Sequence, residues 1–186
     1  GVLDFSATTL TGIAEIQGSG WIDTITGGQG DDTIRGLGAN DVLNGGAGSD
    51  TYLVGGVNDG WDVYADSGTS GTDRILATQA GTVIGLKTFG PASGIEEISA
   101  NGYANVILSG HWEGGVLDFS ATTLTGIAEI QGNGWIDIVT GGGGSDTIRG
   151  LAGNDVLKGA GGNDLLDGGD GTDTAVFAGN FADYSF

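Results

Sequence analysis

Aspartates recur every nine residues in the C-terminal part of the sequence, at Asp146, Asp155, Asp164 and Asp173. Glycines stand just ahead of each one, as in the stretch GGGGSDTIR at 141–149. A carboxylate is a hard oxygen ligand, of the kind that cations such as Ca²⁺ collect in sets of about six to eight. Carboxylates at a constant spacing therefore indicate a cation-binding array, provided that the fold stacks them on one edge.

A nine-residue unit explains this spacing, and it occurs in two blocks. The units at 27–53 read GGQGDDTIR, GLGANDVLN and GGAGSDTYL, and those at 141–176 read GGGGSDTIR, GLAGNDVLK, GAGGNDLLD and GGDGTDTAV. Degenerate units lead into each block (GSGWIDTIT at 18–26, GNGWIDIVT at 132–140), and GTSGTDRIL at 68–76 is an isolated match. Neither a helix nor an ordinary strand imposes a period of nine, so a turn of fixed length must separate short strands.

Each unit combines a turn with a very short strand. The six residues Gly-Gly-x-Gly-x-Asp form the turn, in which glycines permit positive φ, and the three residues x-U-x form the strand. Two units close one coil, and successive coils stack as parallel strands ~4.8 Å apart. The inward-facing U side chains are Ile25, Ile34, Leu43, Tyr52, Val139, Ile148, Leu157 and Leu166. The sequence thus predicts an all-β fold, a right-handed parallel β-roll or β-solenoid with a narrow core.

Aspartates two units apart lie on the same edge of such a roll. The stacked pairs are Asp23 with Asp41, Asp32 with Asp50, Asp137 with Asp155, Asp146 with Asp164, and Asp155 with Asp173. Two carboxylates ~5 Å apart repel each other by about 3 kcal/mol at an effective dielectric near ~20, unless a cation lies between them. We therefore predict several Ca²⁺ ions, about three to six, in the glycine-rich turns, whereas Mg²⁺ demands a tighter octahedron and fits less well.

The predicted metal ligands are the sixth-position aspartates and the glycines of the same turns, whose carbonyls point into the gap. They are Asp23, Gly27, Gly28, Gly30, Asp32, Gly36, Asp41, Gly45, Gly46, Gly48, Asp50, Asp137, Gly141, Gly142, Gly144, Asp146, Gly150, Gly153, Asp155, Gly159, Gly162, Asp164, Gly168, Gly169, Gly171 and Asp173. Turn formation alone would also accept asparagine, but asparagine never occupies the sixth position of a clear unit. Asp31, Asp167 and Asp170 fall at other positions, and we expect them to face solvent.

The units resemble the consensus GGxGxDxUx of the RTX (repeats-in-toxin, hemolysin-type) calcium-binding proteins. The resemblance is specific because seven clear copies recur in register, over 27–53 and 141–176. It implies that the ion is calcium. It also implies a fragment of a large bacterial protein that passes through a type I secretion channel and folds outside the cell, in the medium or at the cell surface. The tail at 177–186 resembles the closing element after the last repeat.

The bulk composition excludes other classes of function. The 186 residues include 24 acidic and 5 basic ones, a formal charge of −19, which opposes binding to nucleic acid or anionic lipid. There is no cysteine, so disulfides and thiolate metal sites are excluded. No run approaches the ~18 apolar residues of a membrane span. The signatures of zinc proteases and of serine and cysteine hydrolases are missing, so we predict that the chain is not an enzyme.

A longer duplication organises the chain. Residues 1–18 recur without change at 115–132, and a weaker third copy lies at 93–108. Solenoids and adhesive arrays are built from such repeats, so we predict that further parallel coils join the two blocks. The predicted segments are a first β-roll block (1–54), an irregular β-rich connecting segment (55–92), degenerate coils leading into the second block (93–176) and a C-terminal closing segment (177–186). Gly1 is not a natural start, so we expect an excised fragment.

The aromatic residues leave a second function open, that of an adhesive or surface-array module contacting carbohydrate or another cell. Trp21 and Trp135 replace a glycine in the two leading turns, which we expect to be imperfect sites. We expect their indoles to cover the ends of the blocks, with sugar stacking as the alternative.

Two further groups of titratable residues have weaker signals. His111 is the only histidine, and we expect it to be structural. Asp59, Asp62 and Asp66 suggest a second calcium loop, but their spacing does not match the EF-hand pattern.

Overall fold

The chain folds almost entirely into short β-strands; the structure, a computed structural model, describes residues 1–68 and 70–178. The strands are β1 (Val2–Asp4), β2 (Ile16–Ser19), β3 (Thr24–Thr26), β4 (Thr33–Leu37), β5 (Val42–Asn44), β6 (Thr51–Val54), β7 (Trp61–Tyr64), β8 (Arg74–Ala77), β9 (Val83–Leu86), β10 (Glu97–Ser99), β11 (Ile107–Gly110), β12 (Gly115–Asp118), β13 (Thr123–Thr125), β14 (Glu129–Asn133), β15 (Asp137–Thr140), β16 (Thr147–Leu151), β17 (Val156–Lys158), β18 (Leu165–Asp167) and β19 (Thr174–Ala175). A 3₁₀ turn spans Pro91–Ser93. Among the described residues, no helix has the length and apolar character that crossing a membrane requires.

The strands form three parallel sheets. One sheet has the order β1-β3-β5-β7-β9-β11-β14-β16-β18, the second β13-β10-β8-β6-β4-β2, and the third β12-β15-β17-β19. Strands that follow each other in sequence are not paired; each pairs with a strand of a neighbouring coil, so the described chain winds through about eight turns. The predicted all-β, parallel β-solenoid is confirmed.

The core of the repeat blocks consists of the U residues, as predicted. The register pairs Ile25 with Leu43, Ile34 with Tyr52, Val139 with Leu157, and Ile148 with Leu166. All of these are buried except Leu166, which is only partly buried. Leu166 lies in β18, the last strand of its sheet, so no neighbouring strand of that sheet covers its outer side.

The stretch between the blocks continues the solenoid. Strand β7 pairs with β5, β8 with β6 and β9 with β7, all in parallel. The coils are longer here: the aspartates that stack on one another are 18 residues apart in the first block, but 21 and 23 residues apart where β7 and β8 enter. The prediction that further parallel coils join the two blocks is confirmed. The boundaries of the four predicted segments stay a prediction, and most of the closing segment lies outside the described residues.

The duplicated sequence shows that a neighbouring coil decides what is buried. Phe119 is fully buried and stacks on Phe89 with ring centroids 5.0 Å apart. Phe5, at the equivalent position of the identical sequence, is only partly buried. The difference arises because the coil containing Phe89 packs against the second copy, where the Phe89 N–H donates to the carbonyl of Val116 at 3.2 Å.

Candidate metal sites in the glycine-rich turns

The fold brings together each of the five predicted aspartate pairs. In every pair, the backbone N–H of the first aspartate donates to Oδ1 of the second. The distances are 2.8 Å for Asp23 and Asp41, 2.7 Å for Asp32 and Asp50, 2.8 Å for Asp137 and Asp155, 3.0 Å for Asp146 and Asp164, and 3.0 Å for Asp155 and Asp173. We call these stacked acids the aspartate ladder.

The ladder of the first block extends into the central coils, which the sequence did not predict. Asp41 donates its N–H to Asp62 Oδ1 at 2.9 Å, and Asp50 donates to Asp73 Oδ1 at 2.7 Å. Asp73 in turn donates to Glu96 Oε2 at 2.8 Å. The isolated unit at 68–76 was a usable signal for Asp73. No repeat pattern marks Asp62 or Glu96, because the coils there are longer than two units.

Some turns are closed by their own aspartate, and we call these closed turns. The N–H four residues before the aspartate donates to its Oδ2, which caps the turn. The donor and acceptor pairs are Ser19 with Asp23 (2.7 Å), Gly28 with Asp32 (2.7 Å), Asn133 with Asp137 (2.7 Å) and Gly142 with Asp146 (2.8 Å). In Asp137 both carboxylate oxygens accept a backbone hydrogen bond, Oδ2 from the Asn133 N–H and Oδ1 from the Gly115 N–H at 3.2 Å.

Other turns, which we call open turns, leave a buried carboxylate oxygen without a partner. In these the second residue of the unit adopts a left-handed backbone: φ is 76° at Leu37, 101° at Gly46 and 81° at Leu151. The aspartates of these turns, Asp41, Asp50 and Asp155, are at most 1 % exposed, and their Oδ2 atoms are buried with no hydrogen-bond partner. An unsatisfied buried acceptor costs roughly 1–3 kcal/mol, and a cation would remove this cost.

The first residue of each unit must be glycine because oxygen atoms occupy the space that a Cβ would need. A Cβ on Gly141 would lie 2.6 Å from Asp146 Oδ2 and 2.6 Å from the carbonyl oxygen of Gly159 in the next coil. A Cβ on Gly132 would likewise lie 2.5 Å from Asp137 Oδ2 and 2.7 Å from the carbonyl oxygen of Gly150. Hard oxygens converging on one point form the donor set that calcium prefers, so the residues present fit this ion.

The expectation that the turn glycines supply positive φ is correct for only part of the set. Positive φ occurs at Gly30, Gly46, Gly48, Gly153, Gly162, Gly169 and Gly171. The predicted ligands Gly27, Gly28, Gly36, Gly45, Gly141, Gly142, Gly144, Gly150, Gly159 and Gly168 lie outside the left-handed range. For the first-position members of this second set, the reason for glycine is the close approach of oxygens.

Burial makes the ladder costly in the absence of a cation. It raises the pKa of Asp41 and of Asp50 to about 6, and neighbouring carboxylates add to the rise. Burial raises the pKa of Asp62 further, to about 8, and the charge of Asp41 contributes. Below about pH 6 the folded, cation-free chain therefore holds protons on Asp41 and Asp50, and below about pH 8 on Asp62, whereas these acids are ionised in water above about pH 4.

The arginines that form ion pairs do so away from this edge. Arg35 Nε lies 2.7 Å from Glu15, and Arg149 lies 3.6 Å from Glu129 and 3.8 Å from Asp167. These side chains therefore leave the negative charge of the ladder uncompensated.

The grouping of Asp59, Asp62 and Asp66 into one calcium loop is wrong. Asp59 caps its own turn by accepting from the Gly55 N–H at 2.6 Å, and Asp62 belongs to the ladder. Asp66 lies instead beside Asp50 and Asp73.

The three aspartates at other positions of the unit face solvent, as predicted. Asp31, Asp167 and Asp170 are all exposed. Asp31 accepts from the Ser49 N–H at 2.8 Å in the next coil.

The prediction that the two indoles cover the ends of the blocks is wrong, whereas His111 is packed into the fold, as expected for a structural residue. Trp21 is 80 % exposed and Trp135 63 % exposed, so neither indole covers the end of a block. His111 is buried against the edge of Trp61, with ring centroids 5.8 Å apart, and its Nδ1 accepts from the Glu113 N–H at 3.3 Å. These contacts are structural.

Comparison with known families agrees with the ladder geometry. The model of the RTX calcium-binding nonapeptide repeat matches the chain in four copies, over residues 18–52 and 140–175. No curated protein and no solved structure matches the chain. The matched residues include the open turns of Asp41, Asp50 and Asp155, whereas Asp66 and Asp73 lie outside them. The chain therefore carries RTX calcium-binding nonapeptide repeats in two blocks of a parallel β-solenoid.

Proposed function

We propose that this chain is a calcium-binding module whose repeat blocks fold when extracellular Ca²⁺ enters the glycine-rich turns. The observation that carries the proposal is the set of buried, partnerless Oδ2 atoms of Asp41, Asp50 and Asp155. A protein seldom leaves such atoms unsatisfied, and an ion between coils gives each of them a ligand role.

The ligands at each site come from two adjacent coils. Carboxylate oxygens of stacked ladder aspartates supply charge, and carbonyls of first-position glycines, such as Gly159 beside Asp146, supply neutral oxygens. The other aspartates and glycines of the predicted set serve the equivalent sites. Six to eight ligands of this kind suit Ca²⁺ better than Mg²⁺, which retains its waters.

Binding and folding are coupled in this proposal. The sites exist only when coils are stacked, so ion binding free energy becomes folding free energy. Extracellular calcium modules bind at roughly 10⁻⁴–10⁻³ M, so the repeat blocks stay unfolded where calcium is scarce and fold where it is abundant. This behaviour would support secretion and later stability of a larger secreted bacterial protein, with no catalytic role for the module itself.

A calcium titration followed by circular dichroism tests the proposal. The chelated chain should lack the β-sheet signal of its repeat blocks and gain it cooperatively on addition of Ca²⁺, with Mg²⁺ at the same concentration as the control. A chelated chain that keeps its full β-sheet spectrum and its melting temperature would contradict the proposal.

A second candidate, carbohydrate adhesion, is favoured by one observation. Trp112 is 58 % and Trp135 63 % exposed, on neighbouring coils joined by a 2.8 Å hydrogen bond from Asn133 Nδ2 to the carbonyl of His111. Exposed indoles are stacking platforms for sugar rings. Binding of the calcium-loaded chain to immobilised polysaccharides tests this function, with Val57→Ala, at a 64 % exposed position, as the control. Binding that Trp135→Ala loses and Val57→Ala keeps would support it, and equal binding by both variants would exclude it.

A further inference from the structure

A group of three buried acids joins the first block to the central coils. Asp50, Asp66 and Asp73 are 0 %, 7 % and 4 % exposed, and each offers a carboxylate oxygen within 4.8 Å of the other two. Asp50 ends the turn of the last clear unit of the block. Asp66 and Asp73 lie outside the residues that match the repeat family.

Hydrogen bonds hold each of the three side chains. Asp50 Oδ1 accepts from the Asp32 N–H at 2.7 Å, and Asp73 Oδ1 accepts from the Asp50 N–H at 2.7 Å, which continues the ladder. Asp66 follows β7, and its Oδ1 accepts from the Gly68 N–H at 2.7 Å. Its Oδ2 accepts from the Tyr52 hydroxyl at 2.7 Å. The carboxylates are thus held together although they repel one another.

An unsatisfied atom points to a missing ligand in this group. Oδ2 of Asp50 is buried and has no hydrogen-bond partner. It lies against the backbone of Gly45, where an added Cβ would contact it. The N–H of the same glycine donates to the Tyr52 hydroxyl at 2.6 Å, which in turn donates to Asp66. The free oxygen therefore lies on the side of the turn where Asp66 is anchored.

Tyr52 departs from the repeat, and the hydrogen bond of its hydroxyl explains why. Its position in the unit is otherwise aliphatic in the clear copies, except for Ala175, yet here a fully buried tyrosine fills the core and packs edge-to-face on Tyr64 at 5.4 Å. A buried hydroxyl needs a partner, and Asp66 supplies one. The hydroxyl orients the Asp66 carboxylate beside those of Asp50 and Asp73.

We propose that Asp50, Asp66 and Asp73 bind one Ca²⁺ at the junction of the first block and the central coils, with Tyr52 as the positioning residue. Three carboxylates offer more charge than the two of an ordinary ladder pair, so this site fills first in a titration. The site goes beyond the proposed repeat sites because Asp66 belongs to no nonapeptide unit, and both Asp66 and Asp73 lie outside the residues that match the repeat family. It stands even if the ladder pairs bind no ion.

The test counts calcium ions in the full chain by native mass spectrometry and measures their affinities by calorimetry. Asp66→Asn should bind one ion fewer than the wild type and lose the tightest binding step. The matched control, Asp170→Asn, changes an exposed aspartate and should leave the number of ions and the affinities unchanged. An Asp66→Asn chain that binds as many ions as the wild type, with the same tightest step, would overturn the site.

A second variant separates ligand positioning from folding. Tyr52→Phe keeps the aromatic packing and removes only the hydroxyl, so the number of ions should stay the same while the tightest step weakens by about tenfold, the effect of losing an outer-shell contact to a ligand. The remaining steps should not move, which a general loss of stability would not reproduce. An unchanged tightest step rules out the positioning role. If instead the wild type binds a single ion that Asp66→Asn loses, the junction site holds and the repeat sites do not.

Discussion

The repeat blocks and the central coils share one solenoid but differ in what holds it together. In the blocks each strand buries essentially one aliphatic residue, such as Ile34 or Ile148, and the turns carry buried acids. In the central coils β8 buries both Ile75 and Ala77, and β9 buries both Ile84 and Leu86. Each fully buried large side chain contributes about 1.5–3 kcal/mol, so stacking of the central coils is driven by apolar burial.

The repeat blocks have less apolar burial to stabilise them. Each glycine in a turn costs roughly 0.5–1 kcal/mol of additional backbone entropy relative to alanine, and the open turns leave buried carboxylate oxygens unsatisfied. The same topology can therefore be stabilised by a hydrophobic core in one region and by bound cations in another. The comparison predicts which substitutions alter the calcium dependence of stability and which lower stability independently of calcium.

The largest effect is expected from the core of the central coils. Ile98 is fully buried in β10, between β8 and β13, and Ile98→Ala should lower the free energy of unfolding by about 2–5 kcal/mol. Urea unfolding in saturating calcium measures this. Ile136→Ala, at a 62 % exposed position, is the control. If more calcium restores the free energy of unfolding of Ile98→Ala, the central coils depend on calcium as the repeat blocks do, which would contradict the comparison.

A smaller effect is expected in the ladder of the second block. Asp155 accepts from the Asp137 N–H, so Asp155→Ala leaves that donor unpaired and removes a ligand from two stacked pairs. The free energy of unfolding in calcium should fall by about 1–3 kcal/mol, and the calcium midpoint should rise. Asp167→Ala, at an exposed position outside the ladder, should do neither. Equal responses of the two variants to calcium would count against the ladder.

Substituting a first-position glycine should have a smaller effect than substituting a ladder aspartate. Gly141→Ala places a Cβ 2.6 Å from two oxygens, whereas a Cβ on Gly143 meets nothing within 4 Å. Since both changes restrict the unfolded chain alike, their difference isolates the crowding, which should cost about 1 kcal/mol and raise the calcium midpoint of Gly141→Ala alone. Calcium titrations of the two variants give this difference, and identical midpoints would show that the first glycine does not protect a site.

The smallest effect is a pH dependence of the calcium-free chain. Asp41 and Asp50 have pKa values raised to about 6 in the fold, and Asp62 to about 8; unfolded aspartate titrates near ~3.9. Between these values the folded state binds more protons than the unfolded state, so stability is highest below about pH 4 and falls as pH rises toward about 8. Circular dichroism of the desalted chain should therefore show less β-sheet signal at pH 8 than at pH 5. A β-sheet signal that grows with pH would mean that the buried acids do not destabilise the calcium-free fold.

The sequence predicted the blocks well because their spacing is constant. All five stacked pairs and the inward U residues follow from the period of nine. Asp62 and Glu96 could not be placed, because the central coils vary in length and no period brings those acids onto one edge. The open turns were equally out of reach, since a left-handed Leu37 or Leu151 has no sequence signal in a position that usually takes glycine.

Hydrogen exchange of the full chain with and without calcium tests the central claim most directly. After chelation, the backbone amides of β4 and β16 in the two blocks should exchange rapidly, while those of β8 and β10 in the central coils keep more of their protection. Calcium should slow exchange in the blocks by about tenfold for each 1.4 kcal/mol that binding adds to their stability, and Mg²⁺ should not. If β4 and β16 are as well protected in the chelated chain as in the calcium-loaded one, the repeat blocks do not depend on calcium for their fold.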